Sequence, residues 1–192
     1  MNFTLTATSD AGCRDSVRGR IQVYPHPTAR INLTPPASCI NGPAFRIKDS
    51  SSIVGGALKG RTWTLGDGNN DTSLLIRSKR YATSGTYTIT LISNSNKNCK
   101  DTTIATATVY AKPNADFSIS KSSQCISGNR FTFTGTGTYL QRLWTYGDKF
   151  GDTGMVRTHV YADTGTYTVR SIARNANGCL DTISKEVRVL PG

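Results

Sequence analysis

Three blocks of this chain occur twice, in register. Trp63 to Asp67 (Trp-Thr-Leu-Gly-Asp) returns as Trp144 to Asp148 (Trp-Thr-Tyr-Gly-Asp), 81 residues on. Gly85-Thr86-Tyr87-Thr88 returns 80 residues later at Gly165-Thr166-Tyr167-Thr168, and Cys99-Lys100-Asp101-Thr102 returns at the same offset as Cys179-Leu180-Asp181-Thr182. A fixed period of this length means that one supersecondary plan is used repeatedly, which rules out a single core built from the whole chain. Cys13-Arg14-Asp15-Ser16 is a third copy of the last block, 86 residues before Cys99.

The repeats divide the chain into a partial unit at 1–27, a full unit at 28–112 and a second full unit at 113–192. Prolines mark the joints, at Pro25 and Pro27, at Pro113 and at Pro191, and no Gly/Ser tract intervenes, so the connections read as short and stiff. Residues 1–27 match only the last two strands of a unit: 3–7 correspond to 89–93, and 20–24 to 106–110. Such a hairpin cannot bury its apolar face alone. The chain therefore reads as an excerpt of a longer array, its first hairpin either borrowing a partner from another chain or hanging free.

Side-chain alternation gives the fold class. Tyr87, Ile89 and Leu91 share one face of a strand and Thr86, Thr88 and Thr90 the other; Tyr167 and Val169 repeat this. Phe131 and Phe133, Phe45 and Ile47, and Ile183, Val187 and Val189 alternate with polar residues in the same way. Period-two alternation in short runs between turn residues predicts half-buried strands of an antiparallel sandwich, an all-β fold without helices. No run reaches the roughly 18 apolar residues of a membrane span, so membrane insertion is not expected. The net charge of +11, from 23 basic and 12 acidic residues, is heaviest in unit 28–112. Arg77, Lys79 and Arg80 stand closest together there and are candidate ligand contacts. Basic residues scattered singly along strands and turns suit a solvated surface or attraction to anionic polysaccharide, and not nucleic acid.

Trp-x-x-Gly-Asp-Gly followed by Gly-Thr-Tyr-Thr-Ile/Val closely resembles the PKD (polycystic kidney disease) repeat, over residues 28–192. The added cysteines, in Cys39-Ile40-Asn41-Gly42 and Cys125-Ile126-Ser127-Gly128 and in Asn-x-x-Cys-x-Asp-Thr, resemble the PKD subtype of Bacteroidetes surface proteins, borne by SprB-type gliding adhesins and large secreted repeat proteins. The resemblance implies tandem immunoglobulin-like sandwiches, placement outside the cell, a spacer or interaction role, and no catalysis or cofactor. Its structural signature falls on Trp63, Gly66, Asp67, Gly68 and Tyr87, and on Trp144, Gly147, Asp148 and Tyr167. The tryptophans suit central core aromatics, the Gly-Asp pair a tight turn, and the tyrosines a corner whose hydroxyl returns to upstream backbone. Lys149 replaces the second glycine, so that turn either relaxes or holds a lysine in the left-handed region.

Cys39 and Cys99, and Cys125 and Cys179, occupy matching positions in the two full units. One disulfide within each unit is the economical expectation, with Cys13 left unpaired and an oxidising location implied. No Cys-x-x-Cys spacing favours zinc. Asp67, Asn69 and Asp71 resemble the start of a calcium loop, but without a downstream glutamate they read better as turn carboxylates. His26 lies between two prolines, and His159 is replaced by Lys79 in the sister unit, so neither suits a general base. Asp15-Ser16, Asp101-Thr102 and Asp181-Thr182 resemble the O-glycosylation pattern of that bacterial group, but the same residues begin the last strand, so a structural reason suffices. Tyr139 and Phe150 are the loop aromatics best suited to stack on sugars.

The leading functional expectation is a non-catalytic spacer and adhesion segment of a large cell-surface protein, as in gliding motility. Its partners would be other repeats of the parent chain, anionic polysaccharide or another surface protein. The alternative is a carbohydrate-binding accessory module of a secreted hydrolase. A distinctive activity is expected where the copies differ: in the loop from Cys39 to Trp63, longer than its twin, and at the Gly68/Lys149 turn.

Overall fold

The computed structural model describes residues 1–72 and 77–192. Every regular element among them is a strand. A hairpin, β1 (Asn2–Thr8) and β2 (Arg14–Arg20), comes first. Next are β3 (Ile31–Thr34), β4 (Ala37–Cys39), β5 (Phe45–Asp49), β6 (Leu58–Thr64), β7 (Asn70–Asp71), β8 (Arg77–Lys79), β9 (Gly85–Ser95) and β10 (Lys100–Tyr110). The series then repeats as β11 (Phe117–Ile119), β12 (Ser123–Cys125), β13 (Phe131–Gly135), β14 (Gln141–Thr145), β15 (Gly151–Thr153), β16 (Val156–His159), β17 (Gly165–Arg174) and β18 (Leu180–Leu190).

Each series makes the same two sheets. β3-β5-β8 is a three-stranded sheet and β4-β10-β9-β6-β7 a five-stranded one; β11-β13-β16 and β12-β18-β17-β14-β15 reproduce both orders. This is the immunoglobulin-like sandwich that the alternation demanded. The chain changes sheets between β3 and β4, so β4 lies parallel to the end of β10, with Cys39 opposite Tyr110. In the copy, β12 lies parallel to the end of β18, with Cys125 opposite Leu190.

Inward-facing positions carry the cores. Phe45, Ile47, Trp63, Leu65, Tyr81, Ile89 and Leu91 are buried in the first series. In the second, Phe117, Phe131, Phe133, Trp144, Tyr146, Tyr161, Val169, Val187 and Val189 form one cluster. Its rings meet edge to face, Phe117 on Trp144 at 5.1 Å and Phe131 on Tyr161 at 5.6 Å between centroids. Such pairs add about 0.5–1.5 kcal/mol each beyond the area they bury. Burial pushes the Tyr146 hydroxyl up to about 12, and that of Tyr161 further up.

By contacts the chain falls into two compact units, one of Met1–Pro35, Phe45–Lys79 and Tyr87–Ala107, the other of Pro36–Ala44, Arg80–Thr86 and Thr108–Gly192. The β1–β2 hairpin, in the first, leaves Phe3, Leu5 and Val17 exposed, whereas Ile89 and Leu91 of β9 are fully buried.

Candidate functional site

The signature turn is built from a glycine with no room for a side chain and an aspartate held by a basic residue. Gly66 has φ +79°, and a β-carbon there would lie 2.7 Å from the Thr88 carbonyl oxygen; Gly147 has φ +88° and the same contact, to Thr168, at 2.9 Å. At the next-but-one position Gly68 has φ +84° and Lys149 has φ +78°, so the lysine keeps the left-handed turn and bears its strain. Asp67 Oδ1 accepts the Asn69 N–H and Asp148 Oδ1 the Phe150 N–H, both at 3.3 Å. The second carboxylate oxygen pairs with Lys79 in the first series and, at 2.6 Å, with His159 Nε2 in the second. Burial raises the Asp67 pKa, but hydrogen bonds from Lys79 and Asn69 and the nearby ammonium charge outweigh it and hold the carboxyl below its ordinary value. The Lys79 ammonium and the Asn69 side-chain amide thus both engage Asp67 Oδ2. Among the described residues no three His, Cys, Asp or Glu side chains gather closely enough to hold a metal ion.

Beside each signature tryptophan sits an arginine, half-buried at position 61 and fully buried at position 142. Arg61 and Arg142 stand two residues before Trp63 and Trp144, hence on the same strand face. Arg61 pairs with Asp49 of β5. Arg142, only 2% exposed, makes no ion pair with a carboxylate among the described residues. Its guanidinium donates to the carbonyls of Thr136 (2.7 Å), Ala115 (2.9 Å), Asp116 (3.1 Å) and Asn114 (3.2 Å) and to Ser171 Oγ (2.5 Å). These basic residues were expected on a solvated surface; the structure corrects this for Arg61 and Arg142, and the signal was their shared phase with the tryptophans.

The cysteines require a second correction. Cys39 is bonded to Cys179, with Cα atoms 5.6 Å apart, and Cys13, Cys99 and Cys125 are free. The expected pairs, Cys39 with Cys99 and Cys125 with Cys179, do not form. The reason is the length of the last strand. Cys39 is opposite Tyr110, and Cys99 lies eleven residues earlier along the same extended chain, on the order of 35 Å at strand rise. Cys125 opposite Leu190 and Cys179 are separated in the same way. Cysteines whose Cα atoms lie more than about 7 Å apart cannot be bridged. The observed bond instead runs from the first full sequence repeat to the second, closing a loop of 140 residues, for which chain entropy allows about 5 kcal/mol.

The turns that carry Cys13, Cys99 and Cys179 are one structure made three times. Ser9, Ser95 and Asn175 each accept the cysteine N–H on a side-chain oxygen, at 3.2, 3.1 and 3.0 Å, while their own N–H donates to the cysteine carbonyl. Gly12, Asn98 and Gly178 take positive φ at the residue before the cysteine, where only glycine or asparagine is comfortable.

The aspartates two residues after Cys99 and Cys179 have a structural use, whereas Asp15, among the described residues, accepts only the Ser16 N–H at 2.8 Å. Asp101 accepts the Ala29 N–H at 2.7 Å and Asp181 the Ala115 N–H at 3.3 Å, so each fixes the connector leading into its own series. Asp181 also holds Lys112 at 2.9 Å. The Ala29 and Thr102 amides keep the Asp101 carboxyl below its ordinary value. Burial works against the same shift in Asp181, but Lys112 and the Ala115 amide prevail.

The candidate ligand contacts are not brought together. Lys79 is engaged with Asp67, and Arg80 donates to the Gly42 carbonyl. Arg77 lies in β8, and its side chain falls outside the described residues. Phe150 is 67% exposed, beside His159. Tyr139 lies against the Arg142 guanidinium, 4.3 Å from ring centroid to Cζ, and borders an open groove of about 580 Å³ with Leu140, Leu143, Ile172, Arg174 and Leu180. Tyr87 and Tyr167 are half-buried, and the Tyr167 hydroxyl donates to the Asp163 carbonyl at 2.9 Å, the geometry of a tyrosine corner.

No curated protein matches this chain. Among solved structures, the PKD1 domain of Epp from Vibrio anguillarum is 24% identical over 45% of this chain and 95% of that one, with a TM-score of 0.39. The PKD1 domain of the metalloprotease PrtV from Vibrio cholerae is 26% identical over 44% and 96%, with a TM-score of 0.38. A segment of a 1.5-MDa bacterial ice-binding adhesin aligns with all of this chain and 74% of its own, at 12% identity and a TM-score of 0.50, a likeness of fold. The family model for the PKD domain matches residues 25–109 and again 110–189. PKD domains are immunoglobulin-like, generally non-catalytic modules, and this chain belongs to the PKD domain family, with two copies in tandem.

Proposed function

We propose that this chain is a spacer and adhesion segment of a large extracellular repeat protein, of the kind that serves as a gliding adhesin. The observation that carries the reading is the bond from Cys39 of one repeat to Cys179 of the next. A disulfide of this kind persists only in an oxidising compartment. Around it, Asp181 grips the connector through Lys112 and Ala115, and the Asn175 side-chain amide donates to the Ala111 carbonyl at 2.9 Å. A connector held at three points suits a chain that must transmit length and load.

A second reading rests on the groove beside Tyr139, whose apolar wall of Leu140, Leu143, Ile172 and Leu180 and flanking Arg174 suit a polysaccharide-targeting module of a secreted hydrolase. Pull-down on insoluble glycans separates the two. The spacer reading expects only retention that is released at about 1 M salt, where the Debye length is about 3 Å. Salt-resistant retention that is lost in Tyr139→Ala would replace it with the targeting reading.

A further inference from the structure

We infer that Cys125 and Cys99 are the two open halves of the bond already closed between Cys39 and Cys179: Cys125 takes the turn cysteine of a following PKD repeat, and Cys99 the first-loop cysteine of a preceding one. The inference deepens the tandem-array reading on which it rests, by naming the partner and the atoms that join it.

The two halves recur in detail. Cys39 and Cys125 each sit on a short strand parallel to the last strand of their own series, opposite its final residue, Tyr110 or Leu190. The residue after each donates its N–H to that final residue, Ile40 to the Tyr110 carbonyl at 2.9 Å and Ile126 to the Leu190 carbonyl at 2.8 Å. The first-loop cysteine is therefore fixed at the point where the chain leaves a repeat. The other half lies where the chain enters one. Cys179 follows Asn175, which holds the connector at Ala111, and precedes Asp181, which holds it at Lys112 and Ala115.

Cys99 has the same surroundings. Asp101 holds Ala29 and feels the charge of His26, 86 residues before Lys112, and Lys97 lies over the Tyr24 ring, the residue equivalent to Tyr110. The entry clamp is thus formed twice, and the exit strand twice, but the sulfur bridge once. Cys125 is exposed and Cys99 half-buried. Cysteines equivalent to both are bonded in this molecule, so free thiols here are complementary attachment points and not a leftover pair; the strand between them keeps them from closing on their own partners.

Closure balances through a small-molecule disulfide. The Cys125 thiolate attacks oxidised glutathione and expels one glutathione thiolate. The incoming cysteine thiolate then attacks the mixed disulfide and expels the second, so two protein thiols are oxidised, one glutathione disulfide is reduced, and the two thiol protons end on the two glutathione thiols released.

The test is the full chain extended at Gly192 by a second copy of residues 113–192, oxidised in a glutathione buffer and mapped by mass spectrometry of unreduced peptides. The expected result is Cys39–Cys179 together with Cys125 bonded to Cys179 of the appended copy. The count of free thiols then stays at the three of the parent chain, although two cysteines have been added. A bond between Cys125 and Cys179 of the same copy overturns the inference. So does a Cys125 thiol that stays free while Cys39–Cys179 forms. Because the readout is connectivity, a glycan-binding result that displaced the spacer reading would leave this outcome unchanged. A Cys39→Ser variant adds a check: Cys179 of the parent copy must then remain a thiol, and its capture by Cys125 of its own repeat counts against the inference.

Discussion

Gly135 has no side chain because Arg142 fills the space: a β-carbon at Gly135 would lie 2.4 Å from the guanidinium Nε. Gly135 stands where the first series has Asp49, the partner of Arg61. One repeat neutralises its half-buried arginine with a carboxylate; the other deletes the side chain and lets its fully buried arginine reach five neutral oxygens. Gly135→Ala is expected to cost about 1–3 kcal/mol, the usual penalty for overpacking, read as a lower urea midpoint with an unchanged slope.

Asp49→Ala leaves the Arg61 charge half-buried without its carboxylate. The expected loss is about 3–5 kcal/mol. Asp49→Ala combined with Arg61→Met should recover most of it, since the cost comes from the orphaned charge. A double variant no more stable than Asp49→Ala would show that packing, and not charge, sets the penalty.

Lys149→Gly should stabilise the second series by about 1 kcal/mol, because φ +78° is a strained conformation for lysine and an ordinary one for glycine. Gly147→Ala should do the reverse, and by more, since its β-carbon also meets the Thr168 carbonyl oxygen. Thermal unfolding of both variants checks the pair.

Stability should fall in acid. The carboxyls of Asp67, Asp101, Asp116 and Asp181 all titrate below the ordinary value of 3.8 in the folded chain. Groups with depressed folded values bind protons more readily when unfolded, so their contribution is complete above the unfolded value. It is lost as the pH drops through 3.8 toward the folded values. Tyr146, raised to about 12, gives the opposite edge: its contribution is present below pH 10 and is lost as the pH rises toward 12. Urea midpoints measured across these two windows should decline at both ends.

The fold class was legible because period-two alternation is a local property: Phe131 and Phe133, or Ile89 and Leu91, declare the inner face without knowledge of what lies opposite. The cysteine pairing was not local. Matching positions within a repeat and matching positions between successive repeats have the same sequence signature, and only the parallel register of β4 on β10 shows that Cys39 and Cys99 occupy opposite ends of one strand. The ion pairs of Asp67 with Lys79 and of Asp148 with His159 were hidden for a related reason. Each joins a turn to a strand of the other sheet, so the sequence shows Lys79 and His159 as counterparts but not that each meets the equivalent aspartate. Arg61 and Arg142 were legible in principle, two residues from tryptophans whose inward direction the alternation fixes.

The bond from one repeat to the next is tested most directly on the 192-residue chain itself, oxidised and digested without reduction. The expected result is one disulfide-linked peptide pair, containing Cys39 and Cys179, with Cys13, Cys99 and Cys125 recovered as thiols. Recovery of Cys39 linked to Cys99 and of Cys125 linked to Cys179 would contradict it.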